Sequence, residues 1–81
     1  MVKRKELLEQ FGELVRQRRI EAGRSQEELS AAIGITQPSL SAYECGTALP
    51  TLRSLLGLVR ELGLDLETLL ALLPEGNGEA A

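Results

Sequence analysis

Gly34 and the residues on either side of it constrain this chain more than any other feature. Upstream, Ser25-Gln26-Glu27-Glu28 has the S-x-x-E form of a capping box. In that arrangement the serine oxygen accepts from a first-turn backbone N–H while the glutamate reaches back to the cap. Leu29, Ala32 and Ile33 follow at i, i+3, i+4, which predicts one inward face of a helix over 26–33 that Gly34 ends. Downstream, after only Ile35, Thr36 caps another helix with Pro38 in its first turn, where a missing N–H costs nothing because that donor would be unpaired anyway. Two short helices joined this tightly need a core supplied by the rest of the chain.

That core is predicted to be helical as well. Leu7, Leu8, Phe11, Leu14 and Val15 recur at helical spacing and place a first helix over about Lys5 to Ala22, stopped by Gly23. Leu40 and Tyr43 face inward on the third helix, which Gly46 closes. Thr51 caps a fourth helix, whose expected inward stripe is Leu52, Leu55, Leu56, Val59 and Leu62, and Asp65 caps a fifth beyond Gly63. The sequence is 43% hydrophobic but only 2% aromatic, with leucine the main apolar residue, which favours helix on helix over a β-sandwich. The reading is one all-α, five-helix domain over residues 1–73, followed by a flexible tail over 74–81 that carries no apolar stripe.

Composition also excludes functions. A single cysteine, Cys45, allows no internal disulfide, and the absence of histidine leaves no plausible metal-ligand set or nucleophile–base pair, so neither cofactor nor enzymatic activity is expected. No apolar run approaches the ~20 residues a bilayer requires, and no signal peptide precedes Glu6, so the chain is expected in the cytoplasm. The net charge of −3 and pI near 4.9 weigh against a nucleic-acid partner, but the charge is polarised. Residues 1–24 hold seven Lys or Arg against four Glu, and the remainder two Arg against eight acids, so one side can be basic while the other is acidic.

The pattern Gln26-x-x-Leu29-Ser30-x-x-Ile33-Gly34-Ile35, then Thr36-Gln37-Pro38-Ser39-Leu40-Ser41-x-Tyr43-Glu44-x-Gly46, resembles the Cro and phage-repressor type of helix-turn-helix, the XRE family, over roughly residues 10–73. The resemblance implies a lambda-repressor-like domain with the helix-turn-helix at helices 2 and 3, binding operator DNA as a dimer. It also implies a partly buried ion pair between Arg19 and Glu44, and puts Cys45 where a polar or basic residue is common. The residues themselves suggest a reading face. With Leu40 and Tyr43 inward, Gln37, Pro38, Ser41 and Ala42 point away. A glutamine carboxamide can pair with adenine, Ser39 and Ser41 can donate or accept, and Pro38 or Ala42 can touch a thymine methyl. Gln26, Thr36 and the second helix's N-terminus suit phosphate oxygens, and Arg53 is a further candidate phosphate contact.

Leucines surround the fifth helix, and a helix apolar on all sides must be covered. Leu66, Leu69, Leu70 and Leu73 are therefore expected at a two-fold interface that sets two recognition helices about 34 Å apart. Other readings remain open. The stretch Pro50–Leu64 also resembles antitoxins of the HipB and HigA types, which would bring a toxin protein as partner, and the acidic balance suits a protein-interaction module that has lost DNA binding.

Overall fold

The computed structural model describes residues 4–73, and the expected tail over 74–81 lies outside them. Five helices follow in order: α1 (Arg4–Glu21), α2 (Gln26–Ile33), α3 (Gln37–Glu44), α4 (Leu52–Leu62) and α5 (Leu66–Leu70), with no strand among the described residues.

The helix ends follow from local chemistry. Both halves of the Ser25 box form, Glu28 N–H to Ser25 Oγ at 3.0 Å and Ser25 N–H to Glu28 Oε1 at 2.8 Å. Gly34 ends α2 at φ +84°, the left-handed conformation that a side chain disfavours, and the Ile35 N–H then closes on Ser30 O at 3.0 Å. Thr36, Thr51 and Asp65 each accept a backbone N–H three residues on, which satisfies donors the first turns of α3, α4 and α5 cannot pair internally.

Phe11, Val15, Leu29, Ile33, Leu40, Tyr43 and Leu58 form the core, with Leu55, Leu62, Leu69 and Leu72 half-buried against it. The backbones of α1 and α3 meet at Gly12, where a Cβ would lie 2.5 Å from the Glu44 carbonyl oxygen. The Tyr43 hydroxyl donates to Ser54 Oγ at 3.3 Å, so α3 and α4 share a satisfied buried polar contact.

Two expected faces differ. Ala32 is exposed, and Ser30 is the buried neighbour of Leu29 instead. On α4, Leu52 and Leu56 are 71% and 58% exposed, while Ser54, Gly57 and Leu58 turn inward. The cause is steric. A Cβ at position 57 would come within 2.6 Å of Ile33 Cγ2, so α4 reaches α2 by presenting its smallest residues, and Leu52 and Leu56 are turned toward solvent.

Candidate nucleic-acid interface

Three residues, Gly34-Ile35-Thr36, separate α2 from α3, and the N-terminal turn of α3 stands at the surface. Gln37 and Pro38 are exposed and Ser41 is half-buried; with Gln26 from α2 they line one shallow depression. Thr36 and Ser39 lie at its edge, but their hydroxyls bond each other at 2.9 Å and the Ser39 N–H returns to Thr36 Oγ1, so both are engaged in capping. Ala42 is half-buried, its carbonyl accepting from both the backbone N–H and the hydroxyl of Thr47.

A continuous polar chain sets the angle of this surface. Arg19 on α1 makes a two-pronged contact with Glu44 at the end of α3, Nε to Oε2 at 2.7 Å and Nη2 to Oε1 at 3.1 Å, and its Nη1 reaches the Arg24 carbonyl at 2.9 Å. Glu44 is buried, and its Oε1 also accepts from Gln26 Nε2 at 3.0 Å. Gln26 Oε1 in turn lies 3.5 Å from Gln37 Nε2. Hydrogen bonding to Glu44 raises the Arg19 guanidinium above its already high ordinary value, against the opposing effect of burial. The guanidinium therefore keeps its charge at any physiological pH, and α1, α2 and α3 are tied at one point beneath the Gln37 side chain.

The other candidates are distributed differently. Arg53 is exposed on the far side of the α2–α3 turn, its Nη2 beside Gly34, in a groove with Ile33, Leu52, Leu56, Gly57 and Arg60. Leu66, Leu70 and Leu73 are exposed on α5 and the turn after it, whereas Leu69 packs on the core and is not available as an outward residue. The inward pull on Leu69 comes from α5 docking with Leu69 and Leu72 toward the core, which leaves only the 66-70-73 row outside.

Three features were not anticipated. Arg16 lines a surface cleft with Gln26, Cys45 and the carboxylates Glu9, Glu13 and Glu44, which brings it to the α1 edge of the same surface; only the three-dimensional proximity of α1 to α2 reveals this. Arg24 pairs with Glu61 at 3.1 Å, closing the turn between α1 and α2 onto α4 across 37 residues of sequence. The Gln26–Glu44 bond spans 18 residues and has no local signature. Among the described residues, no three Cys, Asp or Glu side chains gather as a metal-holding group, and no helix is long and apolar enough to cross a membrane.

Residues 15–69 match the model of a known protein family, described as Helix-turn-helix. No curated protein matches the chain.

Proposed function

The chain belongs to the helix-turn-helix family of the Cro and phage-repressor (XRE) type, a DNA-binding regulatory family, and on that basis we propose that it is a homodimeric repressor whose α3 reads a two-fold symmetric operator. The observation that carries this reading is the outward grouping of Gln37, Pro38 and Ser41 with Gln26 above the Arg19–Glu44 pair. A side chain that reads base edges has to be held in one orientation, because a bidentate contact loses its discrimination when the helix angle wanders.

In this reading Gln37 addresses a base edge, Ser39 and Ser41 supply adaptable donors, and Pro38 and Ala42 offer apolar contact. Gln26, Arg16 and Arg53 meet the phosphates that flank the groove, while Thr36 holds the first turn of α3 as its cap, and these contacts set register and orientation. The outward leucines of α5, Leu66, Leu70 and Leu73, support a dimer, since exposed apolar rows of this kind are uncommon on monomers. Occupying an operator excludes other proteins from that stretch of duplex, which is how a domain of this size represses.

Selection from a random pool of duplex DNA with the full chain at moderate salt tests the proposal. Enrichment of a motif with two-fold symmetry and half-sites about one helical turn apart is expected. An enriched motif without symmetry would reject the dimer while keeping sequence-specific binding. No enrichment by a folded protein would reject sequence-specific reading by α3.

A further inference from the structure

We propose that the outward leucine pair of α4 seats α5 of a second copy of this chain, with Arg60 of one copy beside Glu67 of the other. The proposal rests on the homodimer reading above and names the surface that makes the dimer.

Leu52 and Leu56 are spaced i, i+4 on α4, and Leu66 and Leu70 repeat that spacing on α5. All four are more than half exposed, at 71%, 58%, 69% and 53%, so both pairs are rows of unpartnered apolar surface with matching pitch, about 6 Å between neighbours. The receiving side is concave. Leu52 and Leu56 border a groove between α2 and α4 that is floored by Ile33 where it packs on Gly57.

The charges are complementary. Arg53 and Arg60 line the groove and no acid does. Glu61, the nearest carboxylate in sequence, is already bonded to Arg24 at 3.1 Å, leaving a 3.5 Å contact to Arg60. On α5 the exposed leucines are flanked by Asp65 and Glu67, and the helix has no basic residue. Asp65 is occupied as the cap of α5, which leaves Glu67 as the carboxylate for the partner. Arg53 sits at the Gly34 end of the groove and stays with the DNA side, so Arg60 is the cation for the dimer.

A third observation concerns α5 itself. It has five residues, none of them fully buried, and a helix this short is not stable without cover. Leu69 and Leu72 give it one packed side, and a neighbour's groove supplies the other. Both the donor row and the receiving groove are present on every copy. In the proposed dimer a two-fold axis pairs each row with the other copy's groove, so that the same contact is made twice.

Sedimentation equilibrium of R60E, E67R and their equimolar mixture tests the surface, with circular dichroism to verify folding. Each variant alone places like charges together at both contacts, and its dimer should be roughly tenfold or more weaker than the parent. In the mixture both contacts of the mixed dimer join opposite charges, so dimerisation should return toward the parent level. Variants as dimeric as the parent, or a mixture no tighter than its components, overturn the proposed surface while leaving the dimer intact. A parent chain that is monomeric at every concentration overturns the homodimer reading itself.

Discussion

Replacing Gly12 by alanine sets two effects of opposite sign against each other. Gly12 lies within α1, where alanine is favoured over glycine by about 1 kcal/mol, so local propensity predicts a more stable protein. The structure predicts the reverse. The added Cβ would stand 2.5 Å from the Glu44 carbonyl oxygen and 2.8 Å from its carbon, and would also strike the Tyr43 carbonyl. These are backbone atoms of the last turn of α3, and the Tyr43 oxygen is held by the Gly46 N–H at 3.1 Å, so neither can rotate aside as a side chain would. Relief requires α1 and α3 to part by roughly 1 Å, toward ordinary contact distances. Overpacking of this kind costs about 1–3 kcal/mol, with rigid backbone at the upper end. After the propensity gain, the net loss should be about 2 kcal/mol, or roughly 10–15 °C in Tm for a domain of this size. The same displacement strains the 2.7 Å Arg19–Glu44 contact and tilts α3, so affinity for any selected DNA should fall beyond what the folded fraction explains. Thermal melts followed by circular dichroism decide the matter. A Tm equal to or above the parent's would mean that the helices are not pressed together at Gly12 and would refute the reasoning.

Four further outcomes are expected. Glu44→Gln keeps the shape but leaves the Arg19 charge, whose side chain is 13% exposed, without its counter-ion; urea denaturation should show a loss of about 2–4 kcal/mol, and a loss well below 1 kcal/mol would mean that solvent screens the pair. Asp65 is held below the usual carboxylate range by the Thr68 hydroxyl and N–H, and Glu28 by the backbone N–H and hydroxyl of Ser25, so both caps stabilise the fold above the ordinary pKa near 4 and are lost only as pH falls through the depressed values. An NMR titration should show the Thr68 and Ser25 amide signals unmoved between pH 7 and about 5 and shifting only in stronger acid; a midpoint at or above the ordinary value would contradict the caps. Gln37→Ala should weaken operator binding by about 1–3 kcal/mol and relax preference at one base position per half-site, whereas an equal loss on every sequence would remove Gln37 as a reader. Arg53→Ala should make the salt dependence of DNA binding shallower by about two, one phosphate per copy of a dimer, and Arg24→Ala should leave the slope unchanged because Arg24 is held by Glu61; the opposite ranking would reject the assignment.

What could be read from the sequence was what short-range chemistry determines. The Ser25–Glu28 box, Gly34, the Thr36 cap and the inward pair Leu40 and Tyr43 are each decided within about four residues, and the helices begin and end where those signals stand. The exposure of Gln37 and Pro38 follows from the same phase. Helix α4 could not be phased that way, because its leucines cover most of the circumference and periodicity leaves the choice open. Ser54 and Gly57, small and three residues apart, were the available sign that this face approaches another helix, and Ile33 is what it meets. Leu69 was misplaced for the related reason that an all-round apolar helix does not say which side is taken by its own core. The Gln26–Glu44 and Arg24–Glu61 bonds join residues 18 and 37 apart, and no local pattern encodes such partners.

The acidic balance of the chain takes on a different meaning once its ion pairs are located. Of the basic side chains whose surroundings are described, Arg19 is committed to Glu44 and Arg24 to Glu61, both inside the scaffold, and Arg18 faces Asp65 at the start of α5. Arg16 beside Gln26, and Arg53 beside the α2–α3 turn, are the cations left near the reading surface, and the surface itself is built from neutral Gln, Pro and Ser. Among the described residues, these two are the cations placed to neutralise phosphates, the term that dominates non-specific binding. In the proposed reading, the oriented contacts of α3 at base edges carry the discrimination between sequences. Those contacts are few per copy, so the proposed operator binding gains from joining two copies on one DNA. Two features therefore depend on each other: a neutral recognition helix held at a fixed angle by a buried ion pair, and an outward row of leucines suited to bringing a second copy to the same DNA.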